Sequence, residues 1–82
     1  MRFDWDSQKA ARNLTKHGVS FQEAATVFGD PDHSIDERRF LTIGASENNR
    51  LLIVSHADNG EIIRIISARE LTRRERKLYE QG

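Results

Sequence analysis

Hydrophobic spacing changes at Pro31, the only proline of the chain. Upstream, apolar residues recur at helical intervals; downstream, they alternate or run together as strands do. Proline has a fixed φ and no N–H, so it separates these two halves. A chain of 82 residues organised this way is expected to form one α+β domain over 1–82.

The elements follow from local chemistry. Arg2–Trp5 reads as a short strand. Asp6 suits the N-cap of a helix ending near His17, with Gly18 as its stop. Ala10, Ala11 and Leu14 are expected to face inward. Ser20-Phe21-Gln22-Glu23 is a capping box for a second helix, whose Phe21, Ala24, Ala25 and Phe28 share one face. Gly29-Asp30-Pro31-Asp32 ends it. Strands follow at about Arg38–Ala45 and Arg50–His56, joined by Ser46-Glu47-Asn48-Asn49. Asp58-Asn59-Gly60 supplies a second turn before a strand at about Glu61–Ala68. Thr72-Arg73-Arg74-Glu75 opens a last helix through about Glu80, with Leu71, Leu78 and Tyr79 as its apolar contacts. The expected order is β-α-α-β-β-β-α, an antiparallel sheet with helices on one face and the other partly open.

Composition narrows the function classes. Cysteine is absent, which removes disulfides and thiolate metal sites and fits a reducing cytoplasm. No apolar run follows Met1-Arg2-Phe3-Asp4-Trp5, so no signal peptide is expected, and Leu51-Leu52-Ile53-Val54 is far too short for a membrane span. Thirteen Lys and Arg balance thirteen Asp and Glu, which argues against simple electrostatic capture of nucleic acid. The charges are nevertheless segregated. Glu23 to Glu37 holds five acids and no Lys or Arg, whereas Glu61 to Glu80 holds six bases against four acids.

Cofactor motifs are missing. His17, His33 and His56 share no metal-ligand spacing. Asp30-x-Asp32-x-Ser34-x-Asp36 mimics a calcium loop, but Ile35 stands where glycine is needed and Leu41 where the bidentate glutamate belongs. No phosphate-binding glycine loop or nucleophile elbow is present. Neither metal nor cofactor is expected.

The segment Arg64-Ile65-Ile66-Ser67-Ala68-Arg69 carries the most chemistry. Strict alternation would put Arg64, Ile66 and Ala68 on one face and Ile65, Ser67 and Arg69 on the other. A charge amid β-branched strand residues must face solvent or a partner. Arg64 is therefore either a solvated or salt-bridged residue on the open sheet face or a bidentate donor for phosphate.

The sequence resembles the BrnT family of type II toxins. The resemblance runs through Phe3-Asp4-Trp5-Asp6, Asn13-Leu14-Thr15-Lys16-His17-Gly18-Val19-Ser20-Phe21-Gln22-Glu23-Ala24 and Phe28-Gly29-Asp30-Pro31. It continues through Asp36-Glu37-Arg38, Ile43-Gly44, Arg64 to Arg69, Glu75-Arg76 and Tyr79-Glu80. It implies a RelE-like fold and a ribonuclease that arrests translation. It also implies a BrnA-like antitoxin, expected in a heterotetramer, whose ribbon-helix-helix region binds operator DNA.

Metal-free RNA cleavage needs proton transfer and positive charge on the phosphorane-like transition state. Arg64 and Arg69 are candidates for the charge, because arginine does not titrate. His17 is the candidate proton-transfer group, or it simply faces its helix dipole. His56 is a second such candidate, or a strand-end residue. Lys16 and Arg73 are candidate phosphate contacts, and Ser67 is either structural or a phosphate hydrogen-bond donor, since no general base is visible beside it. Trp5 and Tyr79 either stack on bases or belong to the core. The alternative to an mRNA-cleaving enzyme is a non-catalytic module docking an acidic protein or nucleic acid through its arginines.

Overall fold

The computed structural model describes residues 2–32, 34–36, 40–58 and 60–81, with the backbone alone for 34–36. Among the described residues, five strands form one sheet: β1 (Arg2–Asp4), β2 (Ser34–Asp36), β3 (Leu41–Ala45), β4 (Leu51–Asp58) and β5 (Ile62–Glu70). Their spatial order is β1-β5-β4-β3-β2. β2 to β5 run antiparallel to their neighbours, and β1 runs parallel to β5. Helices α1 (Ser7–His17) and α2 (Phe21–Thr26, continued as a 3-10 turn) separate β1 from β2, and α3 (Arg73–Gln81) follows β5. The expected order holds with one strand added. β2 was missed because the segment after Pro31 is polar, and β3 starts at Leu41 rather than Arg38. Residues 37–39 and Asn59, part of the expected turn, lie outside the described residues.

Capping is as the sequence dictates. The Asp6 carboxylate accepts from Gln8 and Lys9 N–H, and Gly18 closes α1 at φ 69°. Ser20 accepts from Glu23 N–H. The Glu23 side chain does not complete that box. It is buried and takes hydrogen bonds from Ser46 (2.7 Å) and Arg50, and the Arg50 guanidinium holds its carboxyl down at about 2. This pair fastens α2 to the β3–β4 turn.

The core lies between α1, α2 and one sheet face: Val19, Phe21, Ala24 and Val27 against Leu52, Val54, Ile65 and Ala68. Ala25 and Phe28 pack at its margin as expected. The first helix departs from expectation, since Ala11 and Leu14 are exposed, Leu14 by 52%. Its buried residue is Asn13. β1 ends at Asp4, opposite Arg64, so among the described residues the edge of β5 beyond that point has no neighbouring strand. Asn13 fills the gap. Its Oδ1 accepts from Ala68 N–H (3.1 Å), and its Nδ2 donates to the Ala68 carbonyl (2.8 Å) and the Val19 carbonyl (3.0 Å). A helix face that must satisfy a strand edge needs an amide where an amphipathic pattern suggests leucine.

Asn13 also stands beside an irregularity. Ile65 pairs with His56 and Ser67 with Ser55, so Ile66 is an extra residue in β5. This β-bulge breaks the alternation that the sequence suggested. Beyond it, Ala68 turns into the core while Ser67 and Arg69 join Arg64 on the open face.

Asn13→Ala removes partners from three backbone groups. It should lower unfolding free energy by about 2–3 kcal/mol, against less than about 1 kcal/mol for Leu14→Ala on the exposed face. Denaturant midpoints of the two variants check this ranking.

Candidate functional site

The open face of β3, β4 and β5 holds a cleft of about 290 Å³ lined by His17, Leu41, Ile53, Ser55, Ser67, Ala68 and Arg69. Register explains its composition. Leu41, Ser55 and Ser67 form one cross-strand row, and Ile53 and Arg69 the next. His17, half-buried in the last turn of α1, closes the edge that Asn13 anchors.

Arg69 is held in place. Its guanidinium donates to both oxygens of Glu75, at 2.8 and 3.0 Å. Glu75 also accepts from Thr72 N–H (2.9 Å), and its own N–H donates to Thr72 Oγ (3.2 Å). The capping box of α3 therefore doubles as an arginine clamp. Arg69, followed by that cap, keeps the Glu75 carboxyl at about 2.

Arg64 occupies the same face but does not line the cleft. It stands roughly 15 Å back along the strand by strand rise. Parallel pairing sets it beside Asp4, with which it forms an ion pair. Both side chains are about half exposed, at 51% and 55%. Exposed pairs of this kind contribute only about 0–1 kcal/mol, so a phosphate can displace the carboxylate.

The other expected site residues separate. Lys16 is exposed beside His17, and Arg73 is exposed at the start of α3. Trp5 is half-buried and sits edge-on to Phe21, with ring centroids 6.0 Å apart, against the core. This is the core alternative for Trp5. The Tyr79 hydroxyl donates to the Asp32 carbonyl (2.8 Å) and pins α3 to the turn before β2. Leu71 is buried as expected, whereas Leu78 is 64% exposed.

His56 is neither at the surface nor near the cleft. It is 4% exposed, shares a 2.8 Å hydrogen bond between Nε2 and Thr42 Oγ1, and packs edge-on to Phe28. Burial lowers its pKa. The proton-transfer reading of His56 is corrected: it is a core residue on the opposite face of the sheet.

In the calcium-like segment, the Asp30 carboxylate accepts from Asp32 N–H (3.0 Å) and Ala45 N–H (2.6 Å). His33 and the side chains of 34–36 lie outside the described residues. Among the described residues, no three His, Cys, Asp or Glu are grouped to hold a metal. No described helix is long and apolar enough to cross a membrane.

Comparison with known proteins decides the family. A profile described as "Ribonuclease toxin, BrnT, of type II toxin-antitoxin system" matches residues 5–75. The chain belongs to the BrnT family. A comparison with curated protein sequences returned no match. Among solved structures, the ribonuclease toxin BrnT of Brucella abortus superposes with a TM-score of 0.71 at 23% identity, covering 89% of this chain and 99% of that one. The shared architecture is thus the BrnT fold, and the chain is a ribonuclease toxin of a type II toxin–antitoxin system. Between the enzyme and the passive docking module that the arginines allowed, the family match favours the enzyme.

Because the folded state disfavours protonated His56, stability should be full above the ordinary histidine pKa and decline as pH falls through about 6.5. The check is thermal melting from pH 8 to pH 5. Replacing His56 with Phe should remove that part of the slope.

Proposed function

We propose that this toxin is a metal-independent endoribonuclease that cleaves mRNA in the His17–Ser67–Arg69 cleft. The observation that carries the reading is that cleft itself. An imidazole, a hydroxyl and a clamped guanidinium line one cleft on an open sheet face where single-stranded RNA can lie.

In the reaction, His17 takes the proton of a ribose 2′-OH as its oxygen attacks the adjacent phosphorus. The bond to the 5′ oxygen breaks, that oxygen takes a proton from water, and the hydroxide left behind takes the proton held by His17, which returns the imidazole to its starting form. The products are a 2′,3′-cyclic phosphate and a 5′-hydroxyl end. Arg69 faces the developing charge, where preorganised donors have their largest effect. Its clamp by Glu75 keeps the fork aimed before substrate arrives. Ser67 donates to a phosphate oxygen. Arg64 and Lys16 hold flanking phosphates, and Arg73 extends the positive rim.

Inhibition belongs to a BrnA-like antitoxin that covers the arginine face with acidic side chains, in a heterotetramer. Zero net charge makes the toxin a poor DNA binder alone, so operator binding falls to the ribbon-helix-helix partner. The setting is the cytoplasm.

Arg69→Ala should lower kcat/KM on RNA about 10²–10³-fold. Arg64→Ala should lose about tenfold, mainly through KM, as suits a flanking phosphate contact. EDTA should leave cleavage intact. Equal activity in folded Arg69→Ala, or cleavage lost in EDTA and restored by one divalent ion, would contradict this chemistry.

A further inference from the structure

We propose that the flank of α1 next to Asn13, bordering the β5 edge, is a second RNA subsite, a backbone track leading into the cleft; this rests on the nuclease reading above. Lys9, Arg12 and Lys16 recur at i, i+3 and i+7, which aligns them over roughly 10 Å of helix axis. The helix SQKAARNLTKH contains no acid. Among the described residues none of these three is in an ion pair, whereas Arg50, Arg64 and Arg69 each face a carboxylate.

A shallow groove of about 340 Å³ runs past Lys9, Arg12, Lys16 and His17 to Ile66 and Ser67. His17 and Ser67 also line the cleft, so a strand seated at the cleft continues onto the groove without a break. Ile66, 42% exposed at the bulge, offers a base an apolar surface beside the cations. Evenly spaced cations in a shallow groove suit a flexible polyanion. Protein hot spots are instead buried in well-packed pockets.

The test pairs wild type with the Lys9→Gln/Arg12→Gln double variant. Both substituted side chains are exposed, and glutamine keeps the helix propensity. Binding of an uncleavable 2′-O-methyl oligoribonucleotide is titrated against salt, and cleavage of the matching RNA is measured in parallel. The slope of log K against log salt should become shallower by about 1.4, two single-strand phosphate contacts. KM should rise roughly tenfold at 0.1 M salt, more than kcat falls. The charge-keeping Lys9→Arg/Arg12→Lys variant should restore both. An unchanged slope and KM would overturn the track while leaving the nuclease reading in place. Wild type that binds the oligonucleotide with the expected salt dependence but cleaves nothing would overturn the nuclease reading instead. Wild type that binds no RNA would overturn both. If the double variant loses only binding of poly-glutamate, the stripe serves a protein and the track is wrong.

Discussion

Everything distinctive about this fold depends on how the unpaired half of β5 is satisfied. β1 covers only Ile62 to Arg64, and the next stretch of edge would otherwise leave the N–H and carbonyl of Ala68 without protein partners. Asn13 supplies both hydrogen bonds from α1. The same contact fixes α1 against the sheet, seats His17 over the open face and holds the backbone next to the Ile66 bulge. One amide thereby sets the helix position and steadies the strand register. Without the bulge, Ser67 and Arg69 would point into a core that has no partner for a guanidinium.

The charges follow the same economy. Glu23 and Arg50 fasten α2 to the β3–β4 turn, and Glu75 serves α3 and Arg69 together. The ion pair at Arg64 is more exposed and holds less. Among the described residues the arginines of the open face are thus graded: one fixed by a clamp, the other on a pair that water screens. The fixed arginine suits a role at the scissile phosphate, and the exchangeable one suits a role beside it.

Much of this was legible in the sequence. The caps at Asp6, Gly18, Ser20 and Thr72, the apolar face of α2 and the strand run after Pro31 all report local physics, and they placed the elements. The failures share a cause as well. Leu14 looked internal, and Asn13 did not, because amphipathic spacing counts apolar residues and ignores an unpaired strand edge. Alternation separated Arg64 from Arg69 because a bulge leaves no local mark in Ile65-Ile66-Ser67. β2 escaped because it is short and polar. His56 was ambiguous because burial of a histidine depends on Thr42 and Phe28, which are distant in sequence. The Glu75 clamp was visible only as a capping box.

In the proposed function, the bulge and Asn13 gather His17, Ser67 and Arg69 into the surface that receives RNA. Titration of the labelled toxin with an uncleavable 2′-O-methyl oligoribonucleotide, followed by NMR, tests it most directly. Shifts are expected at the His17 ring, the Ser67 amide and the Arg69 guanidinium, with the Trp5 indole and the His56 ring unmoved. Shifts centred on Trp5 and the α2 side of the sheet, with His17 and Arg69 silent, would contradict it.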